Sequence, residues 1–183
     1  AQVGNHSIGL NPCAGTGDPC PYTGFIKAMM DTGYQTERIE EIAAILLKVG
    51  SMFRVGKVTS GCNMEGFGAG SAAIAAASVE LYNGSPRDVE RAMVLAISPT
   101  IGVPCTPRVM VPGLCATHIG GAILVGSFAA GLAVQTDIEV NVPIDVMMAM
   151  ATEIHPIAAK TTIPTVVEYM QPDRKSTRLN SSH

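Results

Sequence analysis

The chain of 183 residues contains no tryptophan, and only 4% of its residues are aromatic. Its core must therefore be built from aliphatic side chains and the ten methionines, which favours closely packed helices over an aromatic-rich β-sandwich. Charged residues are also scarce, at 15%, whereas 47% of the residues are hydrophobic and the mean hydropathy is +0.29. This length and composition predict a single all-α domain rather than a disordered chain.

The sequence also lacks any cluster of basic residues, and its formal net charge is −3. Without a basic surface to neutralise phosphates, nucleic acid binding is not expected. No signal-peptide pattern is present and the five cysteines are an odd number, which favours reduced thiols in the cytoplasm over a disulfide framework. Residues 109–136 carry no charge, but Pro112 and several glycines make this stretch a better buried helix than a membrane span.

Both ends of the chain have an artificial appearance. It begins at Ala1, and residues 173–183 switch to a polar, unpatterned composition that resembles translated sequencing-adapter read-through. We therefore expect residues 1–172 to form the domain, as a fragment of a longer native protein, and residues 173–183 to be a non-native tail.

Periodicity and capping signals predict where the helices lie. The predicted helices cover residues 25–30, 37–53, 71–82, 86–98 and about 116–134, with another starting near 143. Thr36 is a candidate N-cap, Leu47 belongs to an apolar face, and Ser85 precedes Pro86 at a first helical position. Residues 5–24 are rich in Gly and Pro and are predicted to be a loop, and Pro156 is predicted to mark a helix end.

Three cysteines lie within two residues of a glycine or proline, with no run of charged residues around them: Cys62, Cys105 and Cys115. Three thiolates from loops would hold a metal centre and leave one coordination position for a substrate, as a Lewis-acid catalyst requires. Their spacing is neither that of the paired ligands of structural zinc nor that of a compact ferredoxin motif. From the residues alone, inert core thiols remain the alternative.

The segment Gly61-Cys62-Asn-Met-Glu65-Gly, the later Gly102-Val-Pro-Cys105 and then Cys115 together resemble the α (catalytic) subunit of bacterial iron-sulfur L-serine dehydratases. The resemblance extends over about residues 11–134. It implies an all-helical catalytic domain with a 4Fe-4S cluster on Cys62, Cys105 and Cys115. It further implies a lyase that converts L-serine to pyruvate and ammonia, a β subunit or β domain absent from this chain, and a homo- or hetero-oligomer.

The same resemblance indicates further site residues. Glu65 would act as general base, or would only cap and order its loop. His118, which the family pattern does not include, is a candidate from its residue type alone: it would bind or protonate substrate, or would satisfy backbone groups at a helix start. Gly15, Thr16 and Gly17 lie in a loop similar to the family's Pro-Thr-Ala-Gly-Ser segment and would donate backbone N–H groups to the substrate carboxylate, with a plain turn as the alternative.

The chain departs from the family pattern close to these residues. Cys13 stands where the family usually has Thr, Thr106 replaces an Asp, and Thr117-His118 replaces an Arg-Asn pair. A related lyase acting on cysteine or another β-substituted amino acid is therefore an alternative. A non-catalytic electron-transfer or redox-sensing module is another, and it would need four protein ligands. Cys13 and Cys20 are candidates for a fourth ligand, a cap on the open iron, or ordinary loop thiols.

Overall fold

In the computed structural model, which describes residues 19–53, 67–103 and 112–170, the chain is a bundle of α-helices. No strand occurs in these three ranges, and the all-α prediction is confirmed. The helices are α1 (Pro19–Asp31), α2 (Thr36–Met52), α3 (Gly70–Leu81), α4 (Pro86–Ile97), α5 (Pro112–Gln135) and α6 (Ile144–Met170). A short 3-10 turn, Ser98–Thr100, follows α4. The predicted polar tail lies outside the described residues.

A tight turn joins α3 to α4, as the sequence predicts. Asn83 has a positive φ of 57°, which asparagine tolerates better than most residues, and so reverses the chain after α3. The N–H of Ser85 donates to the Asp88 carboxylate at 2.8 Å, and the N–H of Asp88 donates to Ser85 Oγ at 3.3 Å. Pro86 takes the first helical position. This reciprocal capping box fixes the start of α4.

Helix α3 forms the centre of the bundle. Every residue from Gly70 to Val79 is buried, and most of them are alanines or other small residues. Small side chains let neighbouring helices approach closely, and α3 packs most extensively against α5, with α4 and α2 beside it. Larger side chains fill the space between these helices, among them Ile42, Leu46 and Ile97, which are almost completely buried.

The structure corrects several predicted boundaries. Helix α1 starts at Pro19, inside the predicted loop, because a proline is tolerated in the first turn of a helix, where no N–H partner is lost. The N-cap of α2 is Gln35 rather than Thr36, and Leu47 is 65% exposed rather than part of the buried face. The buried positions of α2 are Ile42, Leu46, Val49 and Gly50.

Two further corrections concern the second half of the chain. Helix α5 begins at Pro112, so Cys115 lies in its first turn and not in a loop. Helix α6 runs through Pro156 instead of ending there. The methionines of α6 are only partly buried, since Met147 is 6% exposed and Met150 is 39% exposed. Among the described residues, no helix is long and apolar enough to span a membrane.

Candidate active site

Most of the predicted site residues fall in segments that precede or join the described helices. Cys62 and Glu65 lie in residues 54–66, Cys105 lies in residues 104–111, and Gly15, Thr16 and Gly17 lie in residues 1–18, all outside the described residues. Cys115 and His118 lie in the first two turns of α5, but their side chains are not described. The described helices therefore show where residues 54–66 and 104–111 start and end, and where residues 1–18 meet α1.

Helices α3 and α5 run side by side in the same direction. A methyl group placed on Gly70, at the start of α3, would lie 3.6 Å from Cβ of Ala122. One placed on Gly84, just after α3, would lie 2.9 Å from Cγ2 of Val134, near the end of α5. The segment that carries Cys62 therefore enters α3 at the same end of the bundle as the first turns of α5, which carry Cys115.

Helix α4 runs in the opposite direction and returns the chain to that end. Arg91, in the first half of α4, donates hydrogen bonds to the carbonyl oxygens of Ala133 and Ile138, at and beyond the last turn of α5. The last turn of α4 therefore points toward the start of α5. Residues 104–111, which include Cys105, connect Val103 to Pro112 and so join these two ends.

Helices α1 and α2 also contact the end of the bundle at which α3 and α5 begin. Arg38, in the first turn of α2, donates to the carbonyl oxygen of Glu80 at 2.7 Å and to its carboxylate at 2.9 Å, so α2 runs antiparallel to α3. A methyl group on Gly70 would lie 3.0 Å from Cγ of Pro21, in the first turn of α1. One on Gly50, in the last turn of α2, would lie 2.5 Å from the hydroxyl oxygen of Tyr22.

We call this part of the bundle the site end; it comprises the first turns of α1, α3 and α5, the last turn of α2, and Phe67 to Ala69. Every segment that carries a predicted site residue is attached to it. Glu65 precedes Phe67 by two residues, and Cys62 precedes Phe67 by five. Five residues of fully extended chain reach about 17 Å. Phe67 itself reaches α5, because a methyl group on Gly121 would lie 3.2 Å from its ring.

The buried side chains described at the site end are mostly apolar. They include Val49, Ala69 and Phe53, which directly follows α2. None of the side chains described at the site end is ionised.

Two features of the site end were missed in the sequence. Residues 67–69 form a π-helical turn directly before α3, a geometry that often occurs at functional sites. The hydroxyl of Ser71 donates to the carbonyl oxygen of Phe67 and so stabilises this turn. The first turn of α1 was missed because Pro19 and Pro21 were interpreted as loop residues, although proline near a helix start is itself a signal.

No group of three His, Cys, Asp or Glu side chains that would bind a metal occurs within the described ranges. The three predicted ligands are not among the side chains described there, so their donor set is judged by its chemistry. Three thiols suit a soft iron-sulfur centre, and hard oxygen-seeking cations such as magnesium or calcium do not bind them. The donor set therefore fits the cofactor that the family resemblance implies.

The fold and this site end define a helical protein whose cysteine-bearing segments join at one end of the bundle. The family model of the serine dehydratase alpha chain matches residues 50–166, which is more than half of the chain and includes all three cysteines. The chain therefore belongs to the serine dehydratase alpha-chain family and is a serine dehydratase-type lyase chain. Neither a curated protein nor a solved structure matches it.

Proposed function

We propose that this chain is the catalytic α chain of an iron-sulfur-dependent L-serine ammonia-lyase, which deaminates L-serine to pyruvate and ammonia. The observation that carries the proposal is the common attachment of residues 54–66, residues 104–111 and the first turn of α5 at the site end. Three ligands that are far apart in sequence need such a scaffold before they can share one cofactor.

Cys62, Cys105 and Cys115 would hold a 4Fe-4S cluster, and three protein thiolates leave one iron without a protein ligand. When bound, the cluster supplies a Lewis acid that favours departure of the substrate hydroxyl group. Loss of water from serine also requires removal of its Cα proton. Glu65, two residues before Phe67, would accept that proton as general base.

Two other groups would orient the substrate. The backbone N–H groups of Gly15, Thr16 and Gly17 precede α1 and would bind the serine carboxylate, because clustered N–H groups form anion sites. His118, one turn after Cys115 in α5, would bind or protonate the substrate. The elimination releases water and aminoacrylate, which tautomerises and then hydrolyses to pyruvate and ammonia, so the overall reaction needs no oxidant.

The protein would work in a reducing compartment, because free thiolates are required to hold the cluster; we therefore place it in the cytoplasm. The family is described as an alpha chain, which is compatible with a second chain type, and a separate beta chain or domain would complete the enzyme. The domain would comprise residues 1–172, and residues 173–183 would take no part.

Anaerobic purification and reconstitution test the proposal through two readouts. Iron and sulfide analysis should find about four of each per chain, and Cys62→Ser, Cys105→Ser and Cys115→Ser should each lower both. Cys20→Ser should retain the cluster, because the proposal gives Cys20 no iron; loss of iron in this variant would instead support four protein ligands. Addition of L-serine should alter the EPR spectrum of the reduced protein, because one iron is open to the substrate.

Activity is measured by pyruvate formation with serine, threonine and cysteine side by side, with and without a co-expressed beta chain. Serine should be the preferred substrate. Preference for cysteine would support the related lyase instead. An EPR spectrum that L-serine leaves unchanged would support a closed electron-transfer or redox-sensing module, and absence of bound iron would exclude both iron-sulfur functions.

A further inference from the structure

A polar cavity lies at the end of the bundle opposite the site end. It is formed by the first half of α4 and by residues 139–143, which lead into α6, and its volume is about 230 Å³. Arg91, which lines the cavity, donates to the carbonyl oxygens of Ala133 and Ile138, so the cavity lies beside the last turn of α5. Helix α5 has 24 residues, so about 36 Å of helix lies between the cavity and the site end.

Charged groups of both signs surround this cavity. The side chains of Arg87, Glu90 and Glu139 line it. None of these three side chains makes a hydrogen bond or an ion pair with the described part of the chain. Ionised groups without a partner inside the protein are available to form charge-assisted hydrogen bonds with a ligand.

Arg91 adds a fixed donor to the same cavity. Its terminal nitrogens donate to Asp88 at 2.6 Å and to two carbonyl oxygens at the end of α5, and its side chain is only 15% exposed. Its Nε, by contrast, is buried and has no hydrogen-bond partner within the described residues. A buried donor without an acceptor is destabilising. An acceptor bound in the cavity beside Arg91 would provide one.

We propose that this cavity is a binding site for a small zwitterion of the α-amino-acid class. The carboxylate of the ligand lies against Arg87 and Arg91, and its ammonium group lies against Glu90 and Glu139. An inorganic anion would instead leave two carboxylates facing a negative charge, and a metal cation would face two guanidinium groups. The cavity volume equals that of about eight water molecules, which is sufficient for an amino acid.

The exposure of the wall residues sets a modest affinity. Arg87, Glu90 and Glu139 are exposed to solvent, which screens their charges. We therefore expect a dissociation constant between about 10 µM and 1 mM. This site does not depend on the proposed lyase function, because none of its residues lies at the site end.

Isothermal titration calorimetry of the reconstituted whole chain tests the site, with L-alanine and L-glutamine as probes. Neither probe carries a leaving group on its β carbon, so a serine dehydratase-type lyase does not consume it. Arg87→Gln and Glu139→Gln should each weaken binding about 10-fold or more, because each removes a charge that faces the ligand. Lys48→Gln in α2 and Glu153→Gln in α6, both at exposed positions away from the cavity, are the matched controls and should leave binding unchanged.

Two analogues of L-alanine test the need for both charges. N-acetyl-L-alanine lacks the ammonium group and L-alaninamide lacks the carboxylate, so the dissociation constant of each should be at least about 10-fold higher than that of L-alanine. In Glu139→Gln, the difference between L-alanine and its N-acetyl derivative should be smaller, because one carboxylate that favours the ammonium group is gone. An analogue that binds as tightly as L-alanine overturns the assignment to a zwitterion.

These titrations decide the outcome whether or not the chain proves to be an iron-sulfur lyase. Both cavity variants should keep the iron content and helix content of the wild type, since neither residue lies at the site end. If neither probe binds at concentrations up to about 10 mM, ten times the weakest expected dissociation constant, the proposal is overturned. Binding that Arg87→Gln and Glu139→Gln leave intact also overturns it, because the probe then occupies a different site.

Discussion

Substitution of one glycine in α5 should disrupt the packing that brings the predicted site segments together. A methyl group on Gly126 would lie 2.6 Å from the carbonyl oxygen of Ser71 and 2.8 Å from Cβ of Ile74, both in α3. Real Cβ atoms do not approach other atoms this closely. Ser71 and Ile74 are fully buried, and the nearest atom belongs to the backbone, so α3 and α5 must separate to accommodate Gly126→Ala.

Two opposing terms decide the magnitude. Overpacking against a rigid neighbour costs about 3 kcal/mol, at the upper end of the usual range. Replacement of a glycine inside a helix by alanine contributes about 1 kcal/mol in the opposite direction. The free energy of unfolding of Gly126→Ala should therefore fall by about 2 kcal/mol.

Urea unfolding followed by circular dichroism at 222 nm measures this change. Gly24→Ala in α1 is the matched control, because its methyl group would lie 3.7 Å from Cδ1 of Ile123, an ordinary contact, and it should gain about 0.5 to 1 kcal/mol. Because α3 and α5 also position the cysteine-bearing segments, Gly126→Ala should lower the iron content after reconstitution. If Gly126→Ala proved as stable as the wild type, the described packing of α3 on α5 would be wrong.

Three further predictions concern the cap of α4, the partly buried Arg91 and the proposed ligands. Hydrogen bonds from the N–H and hydroxyl of Ser85, and then from Arg91, lower the pKa of Asp88 to about 2, from its ordinary 3.8. The contribution of the ionised carboxylate to folding stability is therefore complete above about pH 4 and is lost as the pH falls through 2. Asp88→Asn should lower the free energy of unfolding, measured in urea at pH 7, by about 1 kcal/mol, and this difference from wild type should vanish near pH 2. A difference that does not depend on pH would contradict the role of the carboxylate. Arg91→Ala should lower the free energy of unfolding by about 2 kcal/mol, because it leaves the carbonyl oxygen of Ala133 without this donor. Arg91→Lys should recover only part of that loss, because lysine cannot make the several contacts of the guanidinium at once. Equal stability of the lysine variant and the wild type would argue against these contacts. Cys105→Ser should reduce iron binding while retaining wild-type helix content in the apo-protein, and a variant that unfolds instead would show a structural thiol.

The local signals in the sequence were sufficient for the α3–α4 turn. Ser85, Pro86 and Asp88 interact only with near neighbours, so their pattern predicts the start of α4 without knowledge of the rest of the fold. The prediction for α2 was less accurate because Leu47 and Leu46 are both apolar, and periodicity alone does not decide which of two adjacent leucines is covered. Contacts with other helices make that decision.

For the candidate site, too, the sequence predicts one part and contacts between distant residues decide the other. The identity and order of Cys62, Cys105 and Cys115, and the resemblance they carry, came from the sequence, and the family match confirms the resemblance. The missed first turn of α1 contains Pro21, which packs against Gly70 of α3. This contact joins residues nearly fifty positions apart, and no local pattern predicts such a partner.

The amino-acid sequence by itself determined the helical class, the capped start of α4 and the thiols available for a metal, since each depends on composition or on residues a few positions apart. Only the tertiary structure decided that α3 and α5 are parallel, that α2 and α4 oppose them, and that the cysteine-bearing segments consequently join one end of the bundle. The physical reason is that helix direction and neighbours depend on side-chain packing between distant residues. A helix that is apolar all round, such as α5, carries no local pattern that selects the face it buries.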